Sequence, residues 1–286
     1  SWQWHTWPIL LRSHDYSELA TLKNTAFEDI ERICFYQYLL FGQWNNLKRY
    51  ANNRGIEIIG DMPIYVSYES ADVWAHRELF KLNNEGKPVG VSGVPPDYFS
   101  ETGQLWNNPV YSWDNIRKAN YHWWVNRMKQ MFSLYDIVRI DHFRGLVQFW
   151  EVKAGEETAI NGQWQDVPVR EFLDTLRKNC PQFPVIAEDL GTITPDVREI
   201  MDEYGFPGMK ILLFAFGGDG ADNPYLPHNY SNNCVVYTGT HDNNTVRGWL
   251  ETEATDEDKR RVFRYIGTRL SDEELAAELI RMAQAS

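Results

Sequence analysis

The sequence predicts an α/β fold built on parallel strands. Two patterns predict it. From residue 55 onward, short apolar stretches alternate with stretches of helical periodicity, and four of the apolar stretches end in a carboxylate. The alternation is that of βαβ units. Acids at the ends of successive strands suit a closed ring of such units, because there all the C-terminal strand ends meet at one face. The expected architecture is a (β/α)8 TIM-type barrel, incomplete here with about five strands present, and with a long loop or subdomain insertion after an early strand.

The elements follow in order. Thr25-Ala-Phe-Glu28 has capping-box form and opens a helical pattern through Ile30, Ile33, Tyr38 and Leu47. GIEIIGDMPIYV is the first strand. Residues 67–120 are rich in Gly, Pro, Asn and Trp with little periodicity, and a connection of that length without regular structure is usually functional. YHWWVNRMKQMFSLY is helical and DIVRIDHF a strand. PVREFLDTLRKN is a helix and PVIAEDLG a strand. TPDVREIMDEYG is a helix, with Thr194 as N-cap, Pro195 at its first position and Gly205 as terminator. GMKILLFAF and CVVYTGTHDN are strands. Two helices follow, TDEDKRRVFRYIG and SDEELAAELIRMAQA, the second opened by a Ser271–Glu274 capping box. Three segments result: 1–54, a helical lead-in; 55–250, the central barrel with the insertion 67–120; and 251–286, the C-terminal helices.

Composition excludes several functions. The net charge is −12 and no run of basic residues occurs, so neither nucleic acid nor an anionic membrane is an expected partner. Cys34, Cys180 and Cys234 are far apart, without metal-type or redox-type pair spacing, and read as reduced thiols. No apolar run approaches the roughly 20 residues needed to span a bilayer. SWQWHTW lacks the basic and apolar stretches of a signal peptide, so a reducing, cytoplasmic compartment is expected. Neither GxGxxG nor GxxxxGK[ST] follows a strand, so the usual nucleotide signatures are missing. Aromatics make up 14% of residues, 12 of them Trp, and many stand among polar side chains, as in WQWHTW and YHWW. Sugars present apolar faces and polar rims, which such mixtures suit.

The strand-terminal acids are Asp61, Asp141, Glu188 and Asp242. Singly, each reads equally well as the N-cap of the next helix. Together they share their strand ends with Arg139, His142, Arg144, His241, Asn243 and Asn244. A common pocket would raise some carboxylate pKa values by repulsion and lower others through arginine. Retaining glycoside chemistry needs that separation of a nucleophilic carboxylate from a protonated acid. Arg139 and Asp141 are two apart on one strand and point the same way.

Taken together, DIVRIDHFRG, PVIAEDLG, VVYTGTHDNNT, GIEIIGDMPIYV and PPDYFSETGQLWNNP resemble the 4-α-glucanotransferases (amylomaltases or disproportionating enzymes) of glycoside hydrolase family 77. The resemblance implies transfer of α-1,4-glucan segments to the 4-hydroxyl of another glucan or of glucose, without cofactor or metal. It implies Asp141 as nucleophile, with Arg139 holding that carboxylate ionised and oriented, Glu188 as general acid/base and Asp242 as a third acid gripping the donor sugar. It further implies substrate contacts from His241, from Asp61, and from Tyr98, Phe99, Gln104 and Trp106 in a loop closing over the glucan. Asn244 stands where the family usually has Asp. The family's first-strand tyrosine and the closure of its barrel have no counterpart, so the resemblance makes the chain an internal fragment, in a cytoplasmic or, in a plant, plastid-stromal enzyme. Three other readings stand beside it. They are an α-glucan hydrolase of the α-amylase type, a metalloenzyme using His142, Asp141, His241 and Asp242, and a glucan-binding fragment without turnover.

Overall fold

A computed structural model describes residues 3–97, 100–218 and 220–285. Among them are nine strands: β1 (Ile59–Pro63), β2 (Gly90–Val94), β3 (Gln104–Pro109), β4 (Ile137–Asp141), β5 (Gln148–Lys153), β6 (Gly162–Asp166), β7 (Val185–Ala187), β8 (Gly208–Ile211) and β9 (Cys234–Tyr237). The chain divides into two compact units, residues 1–185 with 194–200, and residues 186–193 with 201–286. The five strands expected from the apolar stretches are β1, β4, β7, β8 and β9.

In the first unit β1 and β4 pair in parallel, in a register that sets Asp61 opposite Arg139 and Pro63 opposite Asp141. Val138 N–H of β4 also donates to Pro184 O (3.0 Å), the last residue before β7. Val138 and Ile140 are fully buried, as their even spacing in DIVRID requires. The helix preceding β4, His122–Leu134, buries Trp124, Val125 and Met128 on one face. Trp124 then packs edge-on against Phe172 (5.2 Å between ring centroids) from the helix Val169–Asn179, and stacks with Trp113 (6.2 Å). Much of the core is therefore aromatic, where offset and edge-on contacts add about 0.5–1.5 kcal/mol per pair beyond the area they bury.

Residues 67–120 hold more regular structure than their composition suggests. β2 and β3 lie there, and with β5 and β6 they form an antiparallel sheet in the order β3-β2-β5-β6. The alternation is hidden because close approach of neighbouring strands demands glycine. A Cβ on Gly93 would stand 2.5 Å from Gln104 O, and one on Gly90 2.1 Å from Glu151 Oε1. A bulge between Val91 and Gly93 breaks the period further.

The N-terminal helix boundary also differs from expectation. Thr25 ends one helix, Tyr16–Thr25, its hydroxyl donating to Thr21 O (3.0 Å), and the next helix, Phe27–Asn52, starts after Ala26 without a side-chain cap. That helix buries none of its residues; Ile33, Tyr38 and Leu47 are 59%, 73% and 54% exposed. It is held chiefly near its end, where Trp44 Nε1 donates to Leu134 O (2.8 Å) and Lys48 pairs with Asp136 (3.3 Å).

In the second unit β8 and β9 pair in parallel, Gly208 opposite Cys234. The helices Asp256–Ile266 and Asp272–Gln284 both open with capping boxes, Thr255–Asp258 and the expected Ser271–Glu274. The second of them buries Leu275 and Leu279 completely. Gly205 ends the helix Pro195–Tyr204 at φ +68°, as its position predicted.

Candidate active site

The strand ends of the first unit carry a tight ionic cluster. Arg139 is 6% exposed, and its guanidinium donates from Nη1 to Asp61 Oδ2 (2.6 Å) and from Nη2 to Asp141 Oδ1 (2.8 Å). The two carboxylates are each about 40% exposed on their side chains, so they face solvent while the cation between them does not. A buried guanidinium is tolerable only when its fork of donors is filled, and the register places one acceptor across the ladder and the other two residues along the strand. The three groups leave Asp141 fixed in direction with its outer face accessible.

Beside it the chain turns at His142 (φ +51°), and all of Phe143–Leu146 is buried. The His142 ring meets Trp106 edge-on (4.7 Å) and lies 6.5 Å from Tyr65, which is itself 6.2 Å from Trp106. Trp106 Nε1 donates to Gln104 Oε1 (3.2 Å), two residues back on β3. The structure thus brings the expected Gln104 and Trp106 together and sets the tryptophan against the residue next to Asp141. Burial, and then the Arg144 cation, lower the His142 pKa from 6.5 to about 4. Arg144 is buried as well; it donates to Thr194 Oγ1 (2.9 Å) and lies over the Trp164 ring (4.1 Å). Burial lowers its pKa.

Glu188 and Asp242 belong to the second unit. Glu188 Oε1 accepts from Leu190 N (2.8 Å), and the next residue, Asp189, is 8% exposed with Oδ1 accepting from Met209 N (2.7 Å). His241 Nε2 lies 3.4 Å from Asp242 Oδ1, with both side chains more than 60% exposed. Asn243 Oδ1 accepts from Thr240 N and Oγ1 (both 3.0 Å), which folds the turn before them. Asn244 donates to Glu253 Oε1 (2.9 Å) and accepts from Thr245 N (2.9 Å) at the start of the helix Val246–Thr252.

Tyr98 and Phe99 lie outside the described residues. Among the described residues no group of three or more His, Cys, Asp and Glu is placed to hold a metal ion. Sequence reasoning missed Tyr65 and Asp189. Nothing in PIYV marks Tyr65 as a ring that will pack beside Trp106. Asp189 was overshadowed by its neighbour Glu188.

The family model described as 4-alpha-glucanotransferase matches residues 1–286, the entire chain. The chain belongs to that family. A 4-alpha-glucanotransferase of Clostridium butyricum is 48% identical over 272 residues, 95% of this chain and 55% of that protein. The enzyme of that name from Thermus thermophilus is 47% identical over 265 residues, 92% of this chain and 53% of its own length. Among solved structures, an amylomaltase from Streptococcus agalactiae in complex with acarbose superposes with a TM-score of 0.92 at 38% identity, covering 97% of this chain and 56% of that one. The chain spans about half the length of the curated family members it matches. The α/β architecture agrees with that amylomaltase structure.

Proposed function

We propose that this chain carries the catalytic side chains of a 4-α-glucanotransferase, which moves α-1,4-glucan segments between maltooligosaccharides, with glucose as the smallest acceptor. The observation that carries the reading is the Asp61–Arg139–Asp141 cluster in a chain that the family model matches throughout. An aspartate kept accessible and held in line by a buried cation suits a nucleophile. In the first step an Asp141 oxygen attacks the donor's anomeric carbon, the C1–O4 bond breaks, and Glu188 gives its proton to the departing O4. In the second, the acceptor's 4-hydroxyl attacks the same carbon, passes its proton to Glu188, and Asp141 leaves. Two inversions retain the anomeric configuration.

Asp242, His241 and Asp61 would grip the donor sugar. Gln104 and Trp106, with Tyr98 and Phe99, would form the aromatic edge that excludes water. That exclusion matters because an acceptor must outcompete water at the covalent intermediate, and a positioned hydroxyl gains by effective molarities of about 10⁵ M or more. The five strands β1, β4, β7, β8 and β9 would belong to a (β/α)8 barrel, with residues 67–120 as an insertion and 251–286 as terminal helices. The enzyme would act in the cytoplasm, or in the stroma if plastid-borne.

The test is maltotriose incubated with the full-length protein. Transfer gives a ladder of longer and shorter maltooligosaccharides, whereas glucose and maltose alone would identify a hydrolase and overturn the proposal. Asp141→Asn should abolish turnover; a variant that retains it would remove Asp141 from the nucleophile's role.

A further inference from the structure

A buried carboxylate needs a reason. Asp189 is among the few buried charged side chains of the described residues, and the reaction proposed above makes no use of it. Desolvating a carboxylate is costly unless hydrogen bonds replace its water, so such a group persists where it holds something in place.

What it holds is the backbone around Glu188. On one side of Glu188, Ala187 N–H donates to Pro207 O (2.9 Å). On the other, Asp189 Oδ1 accepts from Met209 N–H (2.7 Å). Residues 187 and 189 are therefore tied to residues 207 and 209, and Glu188 sits between the two ties. The second tie is made by a side chain because the strand has ended: β7 stops at Ala187, and backbone pairing alone would release the chain at the residue that matters. Gly208 completes the fit. A Cβ there would lie 2.7 Å from both Asp189 oxygens, so the carboxylate occupies the space that a side chain at 208 would need.

We infer that Asp189 is a positioning residue for the general acid/base: by anchoring to Met209 across Gly208 it fixes the backbone from which Glu188 projects. Asp189 does not touch substrate. Its effect is confined to the step in which Glu188 moves a proton. This inference rests on the acid/base role proposed for Glu188.

That confinement gives a test in the full-length enzyme. A glucan leaving group needs a proton from Glu188, whereas a glycosyl fluoride does not: Asp141 forms the C1–O bond, the C1–F bond breaks, and fluoride leaves as the anion. With maltotriose, Asp189→Ala should lower kcat by about 100-fold, the scale of a roughly 1 Å misplacement, with KM changed less than about twofold. The pre-steady-state burst of fluoride release from α-maltotriosyl fluoride should stay within about threefold of wild type. Gly208→Ala, which pushes the carboxylate off its seat, should reproduce the same split. Asp189→Asn keeps an oxygen for Met209 N–H and should recover most of the maltotriose rate. Equal losses on maltotriose and on the fluoride burst would overturn the inference, since a general loss of structure affects both. So would an Asp189→Asn variant as impaired as Asp189→Ala. Glu188→Gln separates the two readings. If it retains maltotriose turnover, the acid/base assignment fails; if it shows the leaving-group split and Asp189→Ala does not, only the positioning role fails.

Discussion

His142 gives the first unit a dependence on pH that follows from its surroundings. Its Nε2 is sealed from solvent, and the ring packs against Trp106 beside the buried Arg144. Burial first, and the arginine second, bring its pKa from 6.5 down to about 4. The folded protein therefore binds fewer protons at this ring than the unfolded chain does between those two values. Stability from the neutral ring is complete above pH 6.5, declines as pH falls below it, and is lost by about pH 4. The full span is worth about 3 kcal/mol, and by pH 5 about 2 kcal/mol of it is gone. Urea unfolding of the chain and of His142→Gln at pH 7.5 and pH 5 isolates the effect, because the shared carboxylates cancel in the difference. Wild type should lose about 2 kcal/mol more than the variant over that interval. The ring's carbon-bound protons should show no titration in NMR above pH 5. Parallel losses in the two proteins, or a His142 titration near pH 6.5, would refute the reasoning.

Asp136 behaves in the opposite sense. Burial alone would raise its pKa, but Ile58 N–H (2.8 Å), Asn52 (2.8 Å) and Lys48 (3.3 Å) hold it below the usual carboxylate range. Asp136→Ala should cost about 2 kcal/mol at pH 7 in urea unfolding, a penalty that shrinks as pH falls through the native carboxyl's own titration. Gly60→Ala should destabilise by about 1–3 kcal/mol or more, since its new methyl would meet the Tyr135 ring at 2.1 Å on the strand that bears Asp61. Gly42→Ala, with open space around it in the helix Phe27–Asn52, should instead stabilise by up to about 1 kcal/mol in the same assay. The exposed Phe35, Tyr36, Tyr38 and Leu40 of that helix should make the 286-residue chain bind ANS, and replacing Tyr38 and Leu40 with Lys should reduce the fluorescence.

Much of this architecture is legible in the sequence because strand and acid coincide. DIVRID reads as a strand from Ile137, Val138 and Ile140, and the same six residues announce the Arg139–Asp141 pair through their spacing. What the spacing could not supply was the second carboxylate: Asp61 meets Arg139 only through the register of β1 on β4. The antiparallel sheet went unread for a related reason. Its strands meet where Gly90 and Gly93 let backbone and side chains come close, and a glycine at a contact erases the very periodicity that marks a strand. The helix Phe27–Asn52 reads as amphipathic, yet only a narrow stripe around Trp44 and Lys48 touches the rest of its unit.

The Asp61–Arg139 bond has a consequence for assembly of the fold. A one-residue slip between paired strands turns every side chain to the opposite face, so register is fixed by which side chains must meet. Sliding β1 by one residue against β4 would put Gly60 or Met62 opposite Arg139 and take the Asp61 acceptor away from a buried guanidinium, an error of about 1–3 kcal/mol. The charge cluster therefore acts as a checksum on strand alignment: a chain that folds out of register is penalised at the very place where it would also be useless.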